Sequence, residues 1–187
     1  MFAALDLFAS KGYESTTTRE IAATAGCAEG LIHRYFNGKA GLLTALVEHS
    51  TAKDTPDARP GPRPARNLAN ELLQLVDHEV ECMWESRDFL RVFLSRAIVD
   101  PRMGKVINKA LLNARTKTIL DRLQKHGLSE HFGPDVIEAL AQSVGVLGLV
   151  FGFVRPALLG QNRAEAKKTA TAVARILAKS PGRVLAN

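Results

Sequence analysis

The side chains that come nearest to a reactive constellation are His78 and Cys82. They lie four residues apart, so a helix would place both on one face, beside Glu81 and Glu85. Imidazole and thiolate are ligands that zinc prefers, but no third or fourth Cys or His lies nearby to complete a tetrahedral site. We therefore interpret Cys82 as a core thiol beside a surface histidine, and the sequence predicts no metal site.

Catalytic signatures are absent from the 187 residues. There is no GxSxG, P-loop or HExxH motif, and no glycine fingerprint follows a strand. The acidic residues occur at ion-pairing spacings on amphipathic patterns. We expect a protein that binds and does not catalyse, with no catalytic residue and no cofactor.

The composition excludes several other classes of protein. With 46% hydrophobic, 24% charged and 6% aromatic residues, the chain is neither a disordered tail, a fibrous repeat nor a disulfide scaffold. Its two cysteines form no disulfide framework, which favours a reducing, cytoplasmic location. The N-terminus lacks the positive region of a secretory signal. The longest uncharged run, residues 139–154, is shorter than a membrane span, so we expect a buried or interface helix.

The net charge of +6 is unevenly distributed. Residues 1–50 hold four basic and five acidic residues, whereas the remainder holds 21 basic and 14 acidic residues. Total charge therefore decides little about partners. A basic run at 102–125, with seven Lys or Arg and one Asp, is typical of a solvated helix face. The alternative is attraction to an anionic effector or to flanking DNA.

The hydrophobic pattern predicts an all-α fold, because apolar residues recur at spacings of three and four and no window alternates for long. Helices are interrupted at 53–66, which holds four of the eight prolines, at Asp100–Pro101, and at 155–162. The body helices are predicted at 66–86, 88–99, 102–126, 134–155 and 164–179. The predicted organisation is a head at 1–50, a Pro-rich connection at 51–66 and a body at 67–187.

The head carries the most specific pattern. Thr17 and Glu20 have the spacing of a capping box, so the second of its three short helices should begin at Thr18. Gly26 should end that helix, and a third helix follows at once, near residues 28–35. Two short helices joined by a tight glycine-containing turn are typical of a helix-turn-helix, whose second helix enters the DNA major groove.

The order of residues over 1–50 resembles the TetR family of transcriptional regulators. The resemblance covers about a quarter of the chain, and no family motif is expected in the body. Its strength lies in the combined spacing of many positions. They are Ala3, Ala4, Leu7, Phe8, Gly12, Thr17, Ile21, Ala22, Ala25, Gly26, Gly30, Tyr35, Phe36, Lys39, Leu42 and Leu43.

The resemblance implies DNA-binding roles for particular residues. The hydroxyls of Thr17 and Thr18 would lie near phosphates, and Arg19 would reach a phosphate or a guanine edge. Lys39 fits the family's phosphate-contacting lysine, aided by the helix N-terminus. The recognition-helix positions that face DNA would be Glu29, Gly30, Leu31, His33, Arg34 and Tyr35.

The recognition helix also departs from the family pattern. Where the family usually has a serine-like N-cap followed by a lysine-like residue, this chain has Ala28 and Glu29. An absent cap costs about 0.5–2 kcal/mol, and a carboxylate near the groove repels phosphates unless it accepts from a cytosine amino group. Cys27 stands where the family has a small buried residue, so we expect a buried, inert thiol. The missing first turns of helix one imply a native start before Met1.

For the body, the resemblance implies an effector site and a homodimer. Gly145, Gly148 and Gly152 fall within one apolar helix, where each costs about 1 kcal/mol, so we expect close approach of a partner helix. Val173 and Leu177 on the last helix complete the predicted dimer interface. The alternative is that both helices are ordinary intramolecular core.

The predicted effector site consists of apolar and aromatic residues, which are typical of small-molecule cavities. Each of them could instead belong to the ordinary core. The set indicates a hydrophobic or aromatic effector. Its members are Met83, Trp84, Phe89, Phe93, Met103 and Phe151.

Together these patterns predict an all-α, TetR-like dimeric repressor. An effector would release it from a pseudo-palindromic double-stranded operator, without a membrane partner. The alternative is a dimeric helical ligand-sensing or partner-binding protein with weakened DNA recognition, as Ala28, Glu29 and the acidic head indicate. Steeply salt-dependent binding to a palindromic duplex would distinguish the two.

Overall fold

The computed structural model of the chain describes residues 1–53, 61–108 and 113–184. Every regular element in these ranges is helical, which confirms the predicted all-α class. The predicted Pro-rich connection, 51–66, lies partly outside the described residues, because it includes 54–60. The helices are α1 (Phe2–Lys11), α2 (Thr18–Ala25), α3 (Glu29–Phe36), α4 (Lys39–Lys53), α5 (Leu68–Glu85), α6 (Arg87–Val99), α7 (Pro101–Ile107), α8 (Ala114–Gln124), α9 (Pro134–Leu149) and α10 (Arg163–Val184).

Short-range signals set the head helices. The Thr17 hydroxyl accepts from the Glu20 amide at 3.2 Å, and the Glu20 carboxylate accepts from the Thr17 amide at 2.9 Å. Gly26 ends α2 in the left-handed conformation at φ 65°. The predicted capping box and the predicted end of α2 are both confirmed.

The corner between α3 and α4 depends on Gly41. A Cβ atom at this position would overlap the carbonyl oxygen of Phe36. A glycine therefore lets α4 start close to the end of α3 without displacing that helix. The head core beneath these helices is formed by Ala4, Phe8, Ile21, Ala22, Ile32, Leu42, Leu43, Leu46 and Val47.

The chain divides into two compact units that do not follow chain order. The first unit comprises Met1–Arg59 and Asp88–Leu111, so α6 and α7 group with the head helices. The second unit comprises Pro60–Arg87 and Leu112–Asn187. The predicted body is thus spread over both units, and its boundaries stay a prediction.

In the second unit, α5 is packed against α9 and α10, and α8 packs against α9. Gly148 permits the approach of α9, since an added Cβ would lie 2.6 Å from Glu79 Cβ. At Gly152 an added Cβ would lie 2.8 Å from Met83 Cβ. Two of the three glycines that predicted a partner helix therefore face α5 of the same chain.

Residues 134–158 form one continuous helical stretch, long and apolar enough to cross a membrane, with a mean hydropathy of 1.8. Its contacts with α5, α8 and α10 bury 39% of the most apolar window. The predicted break at 155–162 is found, but it begins only after Leu158, because a π-helical segment, Val150–Leu158, continues through Pro156. Wider i→i+5 bonding, as from the Leu159 amide to the Val154 carbonyl at 3.1 Å, carries the chain past the proline.

The predicted helix at 102–126 is described as α7 and α8, with residues 109–112 outside the described ranges. Two arginines of this basic run are not solvated. Arg122 Nε donates to Glu71 at 2.5 Å, and Arg115 Nη1 donates to Glu79 at 2.9 Å. Both carboxylates are buried, so these residues correct the interpretation of the whole run as a solvated face.

Glu71 also anchors the segment that precedes α5. Its carboxylate accepts from the Ala65 amide at 2.6 Å, while Arg122 Nη1 donates to the Pro62 carbonyl at 2.9 Å. Burial raises the pKa of Glu71, but the bonds from Arg122 and Ala65 outweigh it and leave the pKa below its usual value. The carboxylate therefore stays ionised in the interior.

Candidate nucleic-acid interface

The outer face of α3 is open to solvent. Only Ile32 of this helix is buried, and it anchors α3 to the head core. Leu31 is 40% exposed and Tyr35 is 69% exposed. All the residues predicted to face DNA from α3 lie exposed: Glu29, Gly30, Leu31, His33, Arg34 and Tyr35.

The N-terminus of α3 has no side-chain cap, because its N-cap residue is Ala28. A different contact occurs there: Thr18 Oγ1 donates to Glu29 Oε1 at 2.6 Å. This hydrogen bond links the first residue of α2 to the first residue of α3. The sequence reasoning missed it, because two exposed residues eleven positions apart give no periodic signal.

Two arginines supply open positive charge on this surface. Arg19, in the first turn of α2, and Arg34, on α3, are both exposed. Neither forms an ion pair with another residue in the described ranges. Lys11, by contrast, is paired with Glu20 at 2.9 Å. The guanidinium of Arg34 lies 5.7 Å from the ring centre of Tyr35.

Lys39 has a structural role that the sequence did not reveal. Its ammonium group donates to three carbonyls of the α1–α2 loop, those of Tyr13, Glu14 and Thr16, at 2.8, 3.3 and 3.0 Å. The ammonium also lies 4.4 Å from the ring centre of Tyr13. All three of its protons are directed at the chain, and Lys39 thus fixes the loop to the start of α4. Its predicted phosphate contact stays a prediction.

The same loop contacts α6. Arg96 Nη1 pairs with Glu14 Oε1 at 2.7 Å, and its guanidinium lies 5.0 Å from the Tyr13 ring centre. Burial raises the pKa of Tyr13, although the charge of Arg96 opposes the shift. The Tyr13 ring is thus flanked by two cations, one from α4 and one from α6.

The electrostatics of the capping box keep it intact at neutral pH. A hydrogen bond from the Thr17 amide, aided by Lys11, lowers the pKa of Glu20 to about 2. The Glu20 carboxylate is therefore ionised and can accept at the N-terminus of α2, where the helix dipole favours negative charge.

Cys27 corrects an expectation. It is exposed and not buried, because it follows the αL residue Gly26 in the turn between α2 and α3. Its amide bonds to the Ala22 carbonyl at 3.0 Å, which closes the turn while the side chain stays outside. The other cysteine, Cys82, is buried as predicted, with its sulfur 3.5 Å from His78 Nε2. Within the described ranges, no group of three His, Cys, Asp or Glu could hold a metal ion.

The six residues of the predicted effector site fall in both compact units. Met83, Trp84 and Phe151 belong to the second unit; Phe89, Phe93 and Met103 belong to the first. Phe89 and Phe93 are buried, with ring centres 4.1 Å apart. Met83 and Phe151 are also buried. The effector-binding role of the six stays a prediction.

Trp84, one of the six, lies close to two cations. The guanidinium of Arg87 lies 4.8 Å from its ring centre, and that of Arg163 lies 5.0 Å away. Arg163 also pairs with Glu81, which accepts from Lys167 as well. The indole thereby joins the C-terminal end of α5 to the N-terminal end of α10.

The predicted dimer-interface residues also differ in environment. Gly145 faces open space, since nothing lies within 4 Å of an added Cβ, whereas Gly148 and Gly152 face α5. Val173 and Leu177 on α10 are half-buried. Val146, next to Gly145 in sequence, is 58% exposed, and Ile176, next to Leu177, is 65% exposed; the sequence did not point to either.

An open cleft of about 480 Å³ lies at the start of α5, and the sequence did not point to it. The segment before the helix contributes two arginines and a proline to its lining. The lining consists of Arg63, Pro64, Ala65, Arg66, Asn67, Asn70, Leu73 and Gln74.

Known proteins share both the head and the overall fold. A family model described as "Bacterial regulatory proteins, tetR family" matches residues 2–46. The chain is 26% identical over 125 residues to the nucleoid occlusion factor SlmA of Haemophilus influenzae, a match covering 63% of this chain and 51% of SlmA. It is 48% identical over 50 residues to the uncharacterized HTH-type transcriptional regulator YvkB of Bacillus subtilis, covering 26% of each.

The chain thus spans about half the length of SlmA and about a quarter of YvkB in these matches. Over the whole fold it resembles the fatty acid degradation regulator FadR from Bacillus halodurans. The TM-score is 0.70 at 18% identity, covering 93% of this chain and 91% of FadR. Residues 2–46 thus match the TetR family model, and the chain as a whole shares the helical fold of FadR.

Proposed function

We propose that this protein is a cytoplasmic transcriptional regulator that binds double-stranded DNA through α2 and α3. The observation that carries the proposal is the exposed outer face of α3, held by a capping-box helix-turn-helix within residues 2–46. Helices presented in this way enter the major groove. The protein acts in this proposal by binding, not by catalysis.

The proposed contacts are of two kinds: contacts to the DNA backbone, which position the protein, and contacts to base edges, which give sequence specificity. Arg19 and Arg34 supply the open positive charge for phosphates or guanine edges. Gly30 permits close approach to the groove, since its Cβ position is open. Leu31 offers an apolar contact for a thymine methyl group, and His33 offers a donor. Thr17 holds the start of α2 through the capping box, and Lys39 holds the α1–α2 loop against the start of α4.

The protein would bind as a homodimer, so that two heads address two half-sites of a pseudo-palindrome. The proposed interface includes the open Gly145 and the exposed Val146 of α9, together with the half-buried Val173 and Leu177 of α10. Because Gly148 and Gly152 face α5, the proposed interface is centred on the first of the three glycines.

The proposed regulation is repression relieved by a hydrophobic or aromatic effector, through a shift in the population of head spacings. Support comes from α6, which carries the predicted effector residues Phe89 and Phe93. Its Arg96 contacts the α1–α2 loop through Glu14 and Tyr13. A displacement of α6 would therefore act directly on the base of the DNA-binding helices.

Enrichment of genomic fragments from the source organism tests the proposal. The purified protein should retain one pseudo-palindromic fragment, and sedimentation should give two protomers per duplex or a multiple of two. The Arg34→Ala variant should lose this enrichment, whereas the matched Arg102→Ala variant should keep it, since Arg102 is exposed on α7. Retention of no fragment, or equal retention by both variants, would contradict the proposal.

A second candidate function is favoured by the charge of the head. Glu29 places a carboxylate on the outer face of α3, and Lys39 directs its protons at the chain. A helical ligand sensor with weakened DNA recognition would show both features. Binding of an effector without any selective duplex would support this second function.

A further inference from the structure

The carboxylate of Glu29 is fixed on the face of α3 that the proposed function directs at DNA. Thr18 Oγ1 donates to its Oε1 at 2.6 Å, the length of a strong bond to an ionised acceptor. Thr18 is the first residue of α2 and Glu29 the first residue of α3. The tether therefore holds one oxygen of Glu29 and leaves the second oxygen, Oε2, able to accept from outside.

The bond to Glu29 also uses the only hydroxyl proton of Thr18. A threonine hydroxyl has a single O–H, so Thr18 cannot donate to a phosphate while it donates to Glu29. The predicted phosphate contact of Thr18 thus competes with a contact inside the protein. A hydroxyl that orients a neighbouring side chain at this place is a positioning group and not a direct DNA contact.

A carboxylate in the major groove discriminates strongly among the bases. Cytosine presents the N4 amino group as a donor, whereas guanine and thymine present acceptor oxygens that would repel the carboxylate. Adenine presents an amino group, but its N7 acceptor lies beside that donor. Cytosine is the base that offers a donor without an adjacent acceptor on its groove edge.

We propose that Glu29, oriented by Thr18, is a specificity-determining residue that selects cytosine at one position of each operator half-site. This inference rests on the proposed DNA-binding function. Glu29, where the family has a lysine-like residue, would then contact a base and so contribute to specificity, although it weakens phosphate binding. The repulsion between Glu29 and the phosphates is then offset only on sites with cytosine at the matching position.

The test is selection of duplexes from a randomised pool, followed by sequencing, for the full chain and its variants. The unaltered protein should select a half-site with one strongly preferred cytosine, favoured by about tenfold over other bases. Glu29→Gln should shift the preference at that position toward adenine, which pairs with a glutamine amide. Thr18→Val should weaken the cytosine preference severalfold, and Thr18→Ser, which keeps the donor, should restore it.

Asp6→Asn is the matched control, because it removes one exposed carboxylate from α1 and should leave every base preference unchanged. Thermal unfolding of each variant checks that the head remains folded. If Glu29→Gln tightened binding to all sequences without changing the preference at any position, Glu29 would be a repelling charge and the inference would be wrong. Enrichment without a preferred cytosine would also overturn it while leaving the DNA-binding function intact. Enrichment of no sequence would overturn both.

Discussion

The head helices α1–α4 and the bundle of α5, α8, α9 and α10 are stabilised by contacts of very different range. In the head, the Thr17 side chain caps α2 by accepting from the amide of Glu20, three residues later. Gly26, directly after the last residue of α2, ends the helix. In the bundle, Glu71 and Arg122 pair across 51 positions. Local signals therefore define the helix-turn-helix, whereas the bundle depends on partners that only the fold brings together.

The ion pairs of the two regions differ in the same way. Lys11 and Glu20 of the head are 52% and 39% exposed, so water screens their attraction. Arg122 and Glu71 are 13% and 0% exposed. A pair of this kind adds little over an apolar contact, yet removal of one partner leaves a buried charge uncompensated.

The largest expected effect comes from Arg122→Met. Glu71 would keep its buried carboxylate without the guanidinium, which costs about 3–5 kcal/mol of unfolding free energy. The matched head variant, Lys11→Met, breaks an exposed pair and should cost about 1 kcal/mol or less. Urea unfolding of both variants measures the contrast, and equal costs would remove the distinction between the two regions.

A smaller effect is expected at the glycines of the apolar helix. Gly152→Ala would overlap the Val80 carbonyl and Met83, so we expect a loss of about 1–3 kcal/mol, independent of protein concentration. Gly145→Ala, with an open Cβ position, should not lower the stability of the monomer. It should instead alter the concentration dependence of the melting temperature if this face pairs with a second copy. A concentration-independent loss at Gly145 comparable to that at Gly152 would contradict this assignment.

Within the head, Thr17→Ala should cost about 0.5–2 kcal/mol, because the Glu20 amide loses its acceptor at the N-terminus of α2. Thr44→Ala is the matched control: its hydroxyl bonds only back to the Ala40 carbonyl within α4. Amide exchange should quicken in α2 for Thr17→Ala and remain unchanged there for Thr44→Ala. Protection of α2 that is equal in the two variants would show that the capping box contributes nothing.

The smallest expected effect is the loss of α2 stability at acidic pH. The pKa of Glu20 is lowered from 4.5 to about 2 in the folded head, so its stabilisation is present above pH 4.5 and is lost as pH falls toward 2. Amide exchange in α2 between pH 5 and 2 should show this loss. In Glu20→Gln the acid-dependent component should disappear, and its persistence would assign it to another group.

Much of the head could be predicted from the sequence, because its signals are local. The capping box, the end of α2 at Gly26 and the missing cap at Ala28 are all found where the pattern placed them. The exposed side chain of Cys27 and the bond from Thr18 to Glu29 could not be predicted. The first depends on the direction of the turn after Gly26 and the second on how α2 and α3 lie together, and the spacing of residues encodes neither.

For the bundle, the sequence predicted the helices but not the contacts between them. The period of the apolar residues located α5, α9 and α10, yet it could not show that Arg115 and Arg122 turn inward to buried acids. The small residues Gly148 and Gly152 correctly indicated a close helix contact, but sequence alone could not decide between a second copy and α5. The break predicted at 155–162 begins only after Leu158, because π-helical bonding continues the helix through Pro156.

The most direct test of the account is the salt dependence of DNA binding. Fluorescence anisotropy would follow the protein on a duplex from the DNA flanking its own gene and on a scrambled duplex. The account predicts tight binding to the pseudo-palindromic duplex, with an affinity that falls steeply as salt rises because phosphate contacts release counterions. Equal, weak binding to both duplexes would contradict it and favour a sensor that no longer reads DNA.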